Sequence, residues 1–394
     1  MKPASERLSI RLVVAVTASW MVSLFGYYAQ AQLLGPIMRD FQRGEEAVGW
    51  LFSLENTVLA LSALAMAGPL ARWSRARTAL LAGALAVFGN VLSAGVGSFE
   101  ALVLARVLAG AGAGIAGAAG TAAAASSREP DRMFAAVMLA WGLAGAAEPS
   151  IVPLATVPYG STGGFLLIAG VCLLLLPLLR MLVAPRAADG EKPSLFTAPN
   201  RILAMIAMLA LLIFEIGQGG IWTFVELIGL RSDLSEYQIG VTLTGTGLVG
   251  LLGAAIAAGL GTRLGRRGPI IIGLALNILA ALALATSEDP ATFVAATWLW
   301  NLAYYFVVPY LLGAMAALDD LGRWVVAMDA VWTLGDGLGP GIAGSLVERG
   351  GYDQLAGLGM VTGLTCLVVT LSVLTKLEHA GRQGPVSESR PDPF

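Results

Sequence analysis

The chain has 394 residues, 57% of them hydrophobic and only 13% charged, with a formal net charge of −2 and a mean hydropathy of +0.76. A soluble globular chain carries about 25% charged residues, so the composition excludes a water-soluble domain and makes the bilayer the solvent. Cys172 and Cys366 sit in apolar runs and His379, the one histidine, lies in a polar tail, which points away from disulfides, metal and histidine chemistry.

A hydrocarbon core about 30 Å thick needs about 20 apolar residues per helix. Runs of that kind fall at 11–33, 47–69, 77–97, 100–125, 132–157 and 161–185, then at 202–228, 237–261, 268–286, 290–316, 323–346 and 354–376. Twelve transmembrane helices are therefore expected, in an all-α membrane protein. Spans so long and so rich in Ala, Leu and Gly lack the ten-residue alternation of a lipid-facing barrel. The first run is too long for a signal peptide and reads as a retained span. Basic residues set the orientation. Of the 24 Lys and Arg, only Arg39, Arg43, Arg231 and Arg349 fall on the side opposite the termini, and Arg106 falls within a span. Both termini are thus expected in the cytoplasm of a cell with the chain in its inner membrane.

The segment 186–201, with Pro185 before it and Asp189, Gly190, Glu191, Lys192, Pro193 and Pro199 within it, has linker composition. The expected division is a six-helix bundle over 1–185, a cytoplasmic linker over 186–201, a second bundle over 202–376 and a disordered tail over 377–394. The two bundles repeat each other. Sliding 26–151 onto 217–342 brings Gly26 onto Gly217, Glu45 onto Glu236, Gly49 onto Gly240, and Arg72 and Arg75 onto Arg263 and Arg266. In the same register Arg132 meets Arg323, Trp141 meets Trp332 and Pro149 meets Pro340. Internal repeats in membrane proteins frame a central solute site.

Two basic loops after the second and eighth spans carry the clearest motifs: Gly68, Arg72, Ser74, Arg75 and Arg77, and then Arg263, Gly265, Arg266 and Arg267. The fourth span has Arg106 followed by Gly110, Gly112 and Gly114, a ladder that lets helices approach closely. With twelve spans in two halves, these motifs resemble the major facilitator superfamily of secondary transporters over nearly the whole chain. The loop departs from the family pattern where Ala71 and Thr262 replace its acidic residue. Gly335, Gly339, Pro340 and Gly344 in span eleven resemble an antiporter motif that the family carries in span five, where this chain has Ala144, Glu148, Pro149, Val152 and Pro153. The resemblance implies alternating access by two rocking halves, with spans one, four, seven and ten lining the cavity.

A charge within hydrocarbon costs at least about 2.5–3.5 kcal/mol, so one that persists there is a functional candidate. Glu55, Glu148, Glu215 and Asp336 are the deep acids and Arg106 the deep base. One arginine neutralises at most one or two carboxylates, and the remainder are candidates for proton coupling, with Glu215 at mid-span seven foremost. Tyr27, Gln30, Gln218, Trp222, Asn301 and Tyr304, with Arg106, are the expected solute-binding set: one aromatic wall and a few hydrogen-bonding groups. Arg72, Arg75, Asp329, Arg263 and Arg266 are the expected gating set. Structural alternatives stand beside these: a Glu55–Arg106 ion pair, Glu148 bonding backbone freed by Pro149, and Asp329 and Asp336 capping a helix interface. Glu226, near the outer end of span seven, is expected to reach water.

The expected function is secondary transport of a small organic solute without cofactor or metal. Its partners are protons, the solute and the lipid bilayer, without nucleic acid, and the chain is expected to act as a monomer. Proton-coupled symport of an organic, possibly aromatic, acid, with Arg106 attracting the carboxylate and Glu215 carrying the proton, is favoured over the alternative, proton-driven efflux of lipophilic or cationic compounds. No Gly-rich loop followed by Lys and Ser or Thr supports a nucleotide-driven pump. A membrane enzyme would need a convergent nucleophile, base or metal set, and a transporter-like sensor would show binding without flux.

Overall fold

The computed structural model describes residues 9–66, 68–127, 129–182, 200–261, 263, 265–316, 318 and 323–382. Every regular element described is helical. The first half holds α1 (Ile10–Tyr28), α2 (Gln30–Phe41), α3 (Glu45–Ala65), α4 (Arg75–Gly95), α5 (Phe99–Ala125), α6 (Pro130–Ala146), α7 (Glu148–Ile151) and α8 (Pro153–Leu179). The second holds α9 (Arg201–Arg231), α10 (Glu236–Leu260), α11 (Arg267–Ala285), α12 (Pro290–Ala316), α13 (Arg323–Gly350) and α14 (Gln354–Arg382).

Eleven of the described helices are long and apolar enough to cross a membrane. The twelfth crossing is α13, 28 residues long and diluted by Asp329, Asp336 and its glycines. Twelve crossings return the chain to its starting face, so Ile10 and Arg382 share one face, called near here; the other is far. The linker expected over 186–201, save for its last two residues, lies outside the described residues, as do 383–394 of the tail. Helix α14 continues past Lys376 to Arg382, because Lys376, Leu377, Glu378 and Ala380 are good helix formers and no proline comes before Pro385.

The first crossing is longer than its apolar run. Only Ala29, itself in a helical conformation, separates α1 from α2, and α2 carries the chain to Phe41. Polar side chains hid this extension, and each of them has a partner. Gln30 and Asn56 exchange amide bonds at 2.9 and 3.0 Å. Asp40 accepts from the Ser161 N–H at 2.8 Å and hydroxyl at 2.6 Å. That cap sits just after Gly160, whose φ of 59° and ψ of −149° break α8, so 153–159 complete the fifth crossing and 161–179 form the sixth.

Gln32 solves a proline problem. Pro153 has no N–H for the carbonyl four residues earlier, and the Gln32 amide donates to that Pro149 carbonyl at 2.8 Å. Gln32→Leu is expected to strand a buried acceptor and cost about 1–3 kcal/mol. Thermal unfolding in detergent checks this, and an unchanged midpoint would mean that the carbonyl finds another donor.

The sequence repeat reappears as an exchange of contacts between the halves. Gly49 on α3 packs against the Pro340 carbonyl on α13, and Gly240 on α10 packs against the Pro149 carbonyl on α7. The two pairs are related by the same offset. A Cβ at either glycine would overlap the carbonyl oxygen, so only glycine permits this approach.

Around these points the far end of the seam is closed. Glu348 accepts from the Glu46 N–H at 2.8 Å, Trp50 donates to Ser345 at 3.1 Å, and Ser53 accepts the Gly341 N–H at 2.8 Å. Ser150 and Thr244 share a hydroxyl bond of 2.7 Å. Leu34, Phe52, Phe224 and Val347 join both halves in one apolar cluster. In the far loop, Tyr352 reaches Glu45 at 3.5 Å; burial, and then that carboxylate, push its phenol up to about 12, which keeps it a donor.

Candidate transport site

Mid-membrane polar groups must find partners because hydrocarbon offers none. Arg106 on α5 finds its partners within the first half. Its guanidinium grips both oxygens of Glu55 on α3, with the Nε bond at 3.0 Å. Its third nitrogen donates to Asn90 at 2.8 Å and Ser93 at 3.4 Å, and the group lies over the Phe165 ring, 5.0 Å from its centroid. Gly110 makes this possible by letting α5 approach the Glu55 carbonyl. One edge of the pair borders a small crevice with Ser23, Gly26, Tyr27 and Asn56.

The other deep acids have no such cation. Glu215 on α9 accepts from the Tyr304 hydroxyl at 3.1 Å, while its Oε1 is enclosed without a partner. Asp336 on α13 accepts from the Tyr27 hydroxyl of the opposite half. Gly335 packs directly on Leu212 and Glu215, and Gly219 on Asp336, which brings these two carboxylates beside each other. Glu148, 3% exposed, also has an enclosed Oε1 without a partner.

Aromatic rings cluster between these helices. Tyr28 meets Tyr27, Trp141 and Trp222 at centroid distances of 5.0, 5.6 and 5.9 Å. Tyr304 meets Tyr305 at 5.4 Å, Trp332 at 5.9 Å and Phe214 at 6.2 Å. The pseudo-symmetry holds here too, since Trp141 and Trp332 occupy repeat-related positions and each faces a tyrosine.

Of the residues expected to bind solute, Tyr27 and Tyr304 come together with Asp336 and Glu215, and Trp222 joins them through the Tyr28 ring. Three amides do not. Gln30 is spent on Asn56, Gln218 on Asn277 of α11 at 3.1 Å, and Asn301 on the Thr246 carbonyl of α10 at 2.7 Å. Asn301 stands where the repeat has Gly110, and Thr246 where it has Glu55, so one contact is made by close approach in one half and by an amide in the other.

The basic residues expected to gate lie at the near face. Arg72 and Arg263 are exposed, Arg266 lies against Gly313, and Arg75 is 4% exposed and donates to Ser126 at 2.9 Å. Thr262 and the side chains of Ala71 and Asp329 lie outside the described residues. Glu226 does not reach water: it is 3% exposed, because α2 runs on to cover α9 and brings Arg39 within electrostatic reach. Tyr28 and Trp141, both central here, had only their aromatic character and the Trp141–Trp332 repeat to mark them.

Two six-helix halves, closed at one face and meeting around paired acids and aromatic rings at mid-membrane, define a multi-pass secondary carrier. The chain belongs to the Major Facilitator Superfamily, which it matches over residues 16–206 and again over 207–393. Solved structures agree on the fold. A mutant of the peptide transporter POT aligns with a TM-score of 0.74 at 17% identity, covering 96% of this chain and 97% of that one. A POT family transporter in complex with 5-aminolevulinic acid gives 0.73 at 15% identity, covering 93% and 96%. The nucleoside transporter NupG gives 0.74 at 13% identity, covering 93% and 99%. No curated protein matches the chain in sequence.

Proposed function

We propose that this membrane transporter is a proton-coupled exchanger that expels a lipophilic or cationic organic solute from the cytoplasm across the inner membrane, with both chain termini inside. The observation that carries the reading is the division of charge. Glu215 and Asp336 bond to phenols rather than to a cation, while Arg106, the arginine at that depth among the described residues, is committed to Glu55. Symport of an organic acid would need Arg106 free to receive a carboxylate. An acidic, aromatic site suits the opposite charge.

Exchange follows from electrostatics. An ionised carboxylate cannot be carried past a closing apolar seam without a counter-charge. Glu215 and Asp336 therefore take either a proton or the solute's cation before the halves rock, and the two occupants compete. That competition couples outward solute movement to inward proton movement.

The test is internal pH in proteoliposomes loaded with a pH-sensitive dye. Adding a lipophilic cation outside is expected to alkalinise the interior, and Glu215→Gln is expected to abolish the signal, with empty liposomes as baseline. Protein-dependent acidification by an aromatic or aliphatic acid would overturn the reading in favour of acid symport.

A further inference from the structure

Glu148 is a buried acid that proton exchange at Glu215 and Asp336 leaves unused. Its place in the repeat is instructive. Pro149 and Pro340 are repeat partners and both serve the seam, but the residue before Pro340 is Gly339. Gly339 is needed there, because it packs on Gly220 and Ile216 as α13 lies against α9. In the first half the equivalent contact, of α7 against α1, is slighter. The helical path runs on through Ala147, which keeps a helical conformation between α6 and α7, and a carboxylate stands where the second half needs a glycine. An ionised carboxylate has no hydrogen to donate to the carbonyl that Pro149 frees, and the Glu148 Oε1 is without a partner, so backbone repair does not account for Glu148 either.

Its surroundings are those of a cation receptor. Helix α7 touches α1, the helix that carries Tyr28, and Glu148 follows Trp141 by seven residues, which is two turns on along one helix face. Tyr28 is ringed by Trp141 of α6 and Trp222 of α9 at 5.6 and 5.9 Å. All three rings are half-buried, so each keeps part of its face uncovered by the protein. Two polar atoms there are enclosed without partners, the Glu148 Oε1 and the Trp222 indole nitrogen. Aromatic faces hold a cation by their quadrupole, most strongly when desolvated, and a carboxylate beside them supplies the full counter-charge.

We infer that Glu148, with Tyr28, Trp141 and Trp222, is the subsite that recognises the positively charged nitrogen or onium centre of the solute. The inference rests on the proposed cation exchange and deepens it: Glu148 recognises the cation, and Glu215 and Asp336 exchange it against the proton. Because Trp222 comes from the second half and the other three groups from the first, a bound cation ties the halves together at this point.

The test is equilibrium binding of radiolabelled tetraphenylphosphonium to the purified full-length protein in detergent, with neutral triphenylphosphine oxide as competitor. Glu148→Gln is expected to weaken tetraphenylphosphonium at least about tenfold, the scale of one strong cation–π contact or more, while the neutral competitor changes little. Trp141→Leu is expected to weaken the cation and Trp141→Phe to restore most of it, which gives a second route should Glu148→Gln fold poorly. Equal loss of cation and neutral ligand, or full cation binding in both Glu148→Gln and Trp141→Leu, would overturn the inference. Cation binding without proton movement in the parent would instead sink the exchange reading and leave this subsite standing.

Discussion

Arg106→Ala is expected to lose about 3–5 kcal/mol of stability, the cost of leaving a buried charge without its partner. The geometry accounts for a loss of this size. Arg106 and Glu55 are 2% and 5% exposed, and the guanidinium joins α5 to α3 through Glu55 and to α4 through Asn90 and Ser93. Its loss leaves a carboxylate, an amide and a hydroxyl together in a space that water does not fill freely. Glu55→Gln is expected to destabilise as well, since it strands the guanidinium instead.

The double replacement Arg106→Met with Glu55→Leu separates a structural role from a transport role. Removing both members of a buried pair and filling the volume with apolar atoms is often neutral or stabilising, so the double variant is expected to melt near the parent and to keep cation exchange. Thermal unfolding and the liposome assay read the two properties separately. A double variant that is stable yet cannot move any solute would return Arg106 to the transport site and reopen acid symport.

How far the sequence reaches can be judged from these same residues. Glu55 and Arg106 were legible as a pair because few charges lie at that depth and their helices neighbour each other. The repeat register was legible too, and its Gly and Pro positions became the exchanged seam contacts. Gln218 and Asn301 were not legible in the same way. Each sits on a cavity helix but turns to a neighbour in its own half. A helix in a bilayer is apolar on its lipid side as well as its packed side, so the hydrophobic period that reveals rotation in a soluble helix is weak. The Tyr27–Asp336 bond was hidden for a further reason: it joins positions 309 residues apart, across a seam whose alignment depends on the whole fold. The extension of span one to Phe41 was missed because Gln30, Gln32 and Asp40 resemble a loop until their partners are known.

Gly49→Leu is expected to abolish transport while leaving the protein folded. A side chain there meets the Pro340 carbonyl and the Gly341 Cα, which are backbone atoms that cannot rotate aside. The seam must open by rigid movement of one half against the other. Overpacking of this kind costs typically about 1–3 kcal/mol, and here the cost falls only on the state in which the far face is closed. A penalty near 3 kcal/mol on one of two states shifts their ratio roughly a hundredfold, enough to make the open state dominant.

The shift has a direct readout. Ser53 is 2% exposed at the closed seam, so Ser53→Cys should resist a membrane-impermeant maleimide in the parent and react in the Gly49→Leu background. Cys172 and Cys366 are both buried and contribute little background. Gly240→Leu is expected to do the same from the other seam, because it meets the Pro149 carbonyl as Gly49 meets that of Pro340. Gly97→Leu, where a side chain meets nothing within 4 Å, is the control. If labelling of Ser53→Cys is unchanged in both seam variants while transport persists, the far-face closure seen here is not part of the working cycle. If only one seam responds, the halves do not hinge symmetrically, and the exchanged Gly–Pro contacts serve packing on one side and gating on the other.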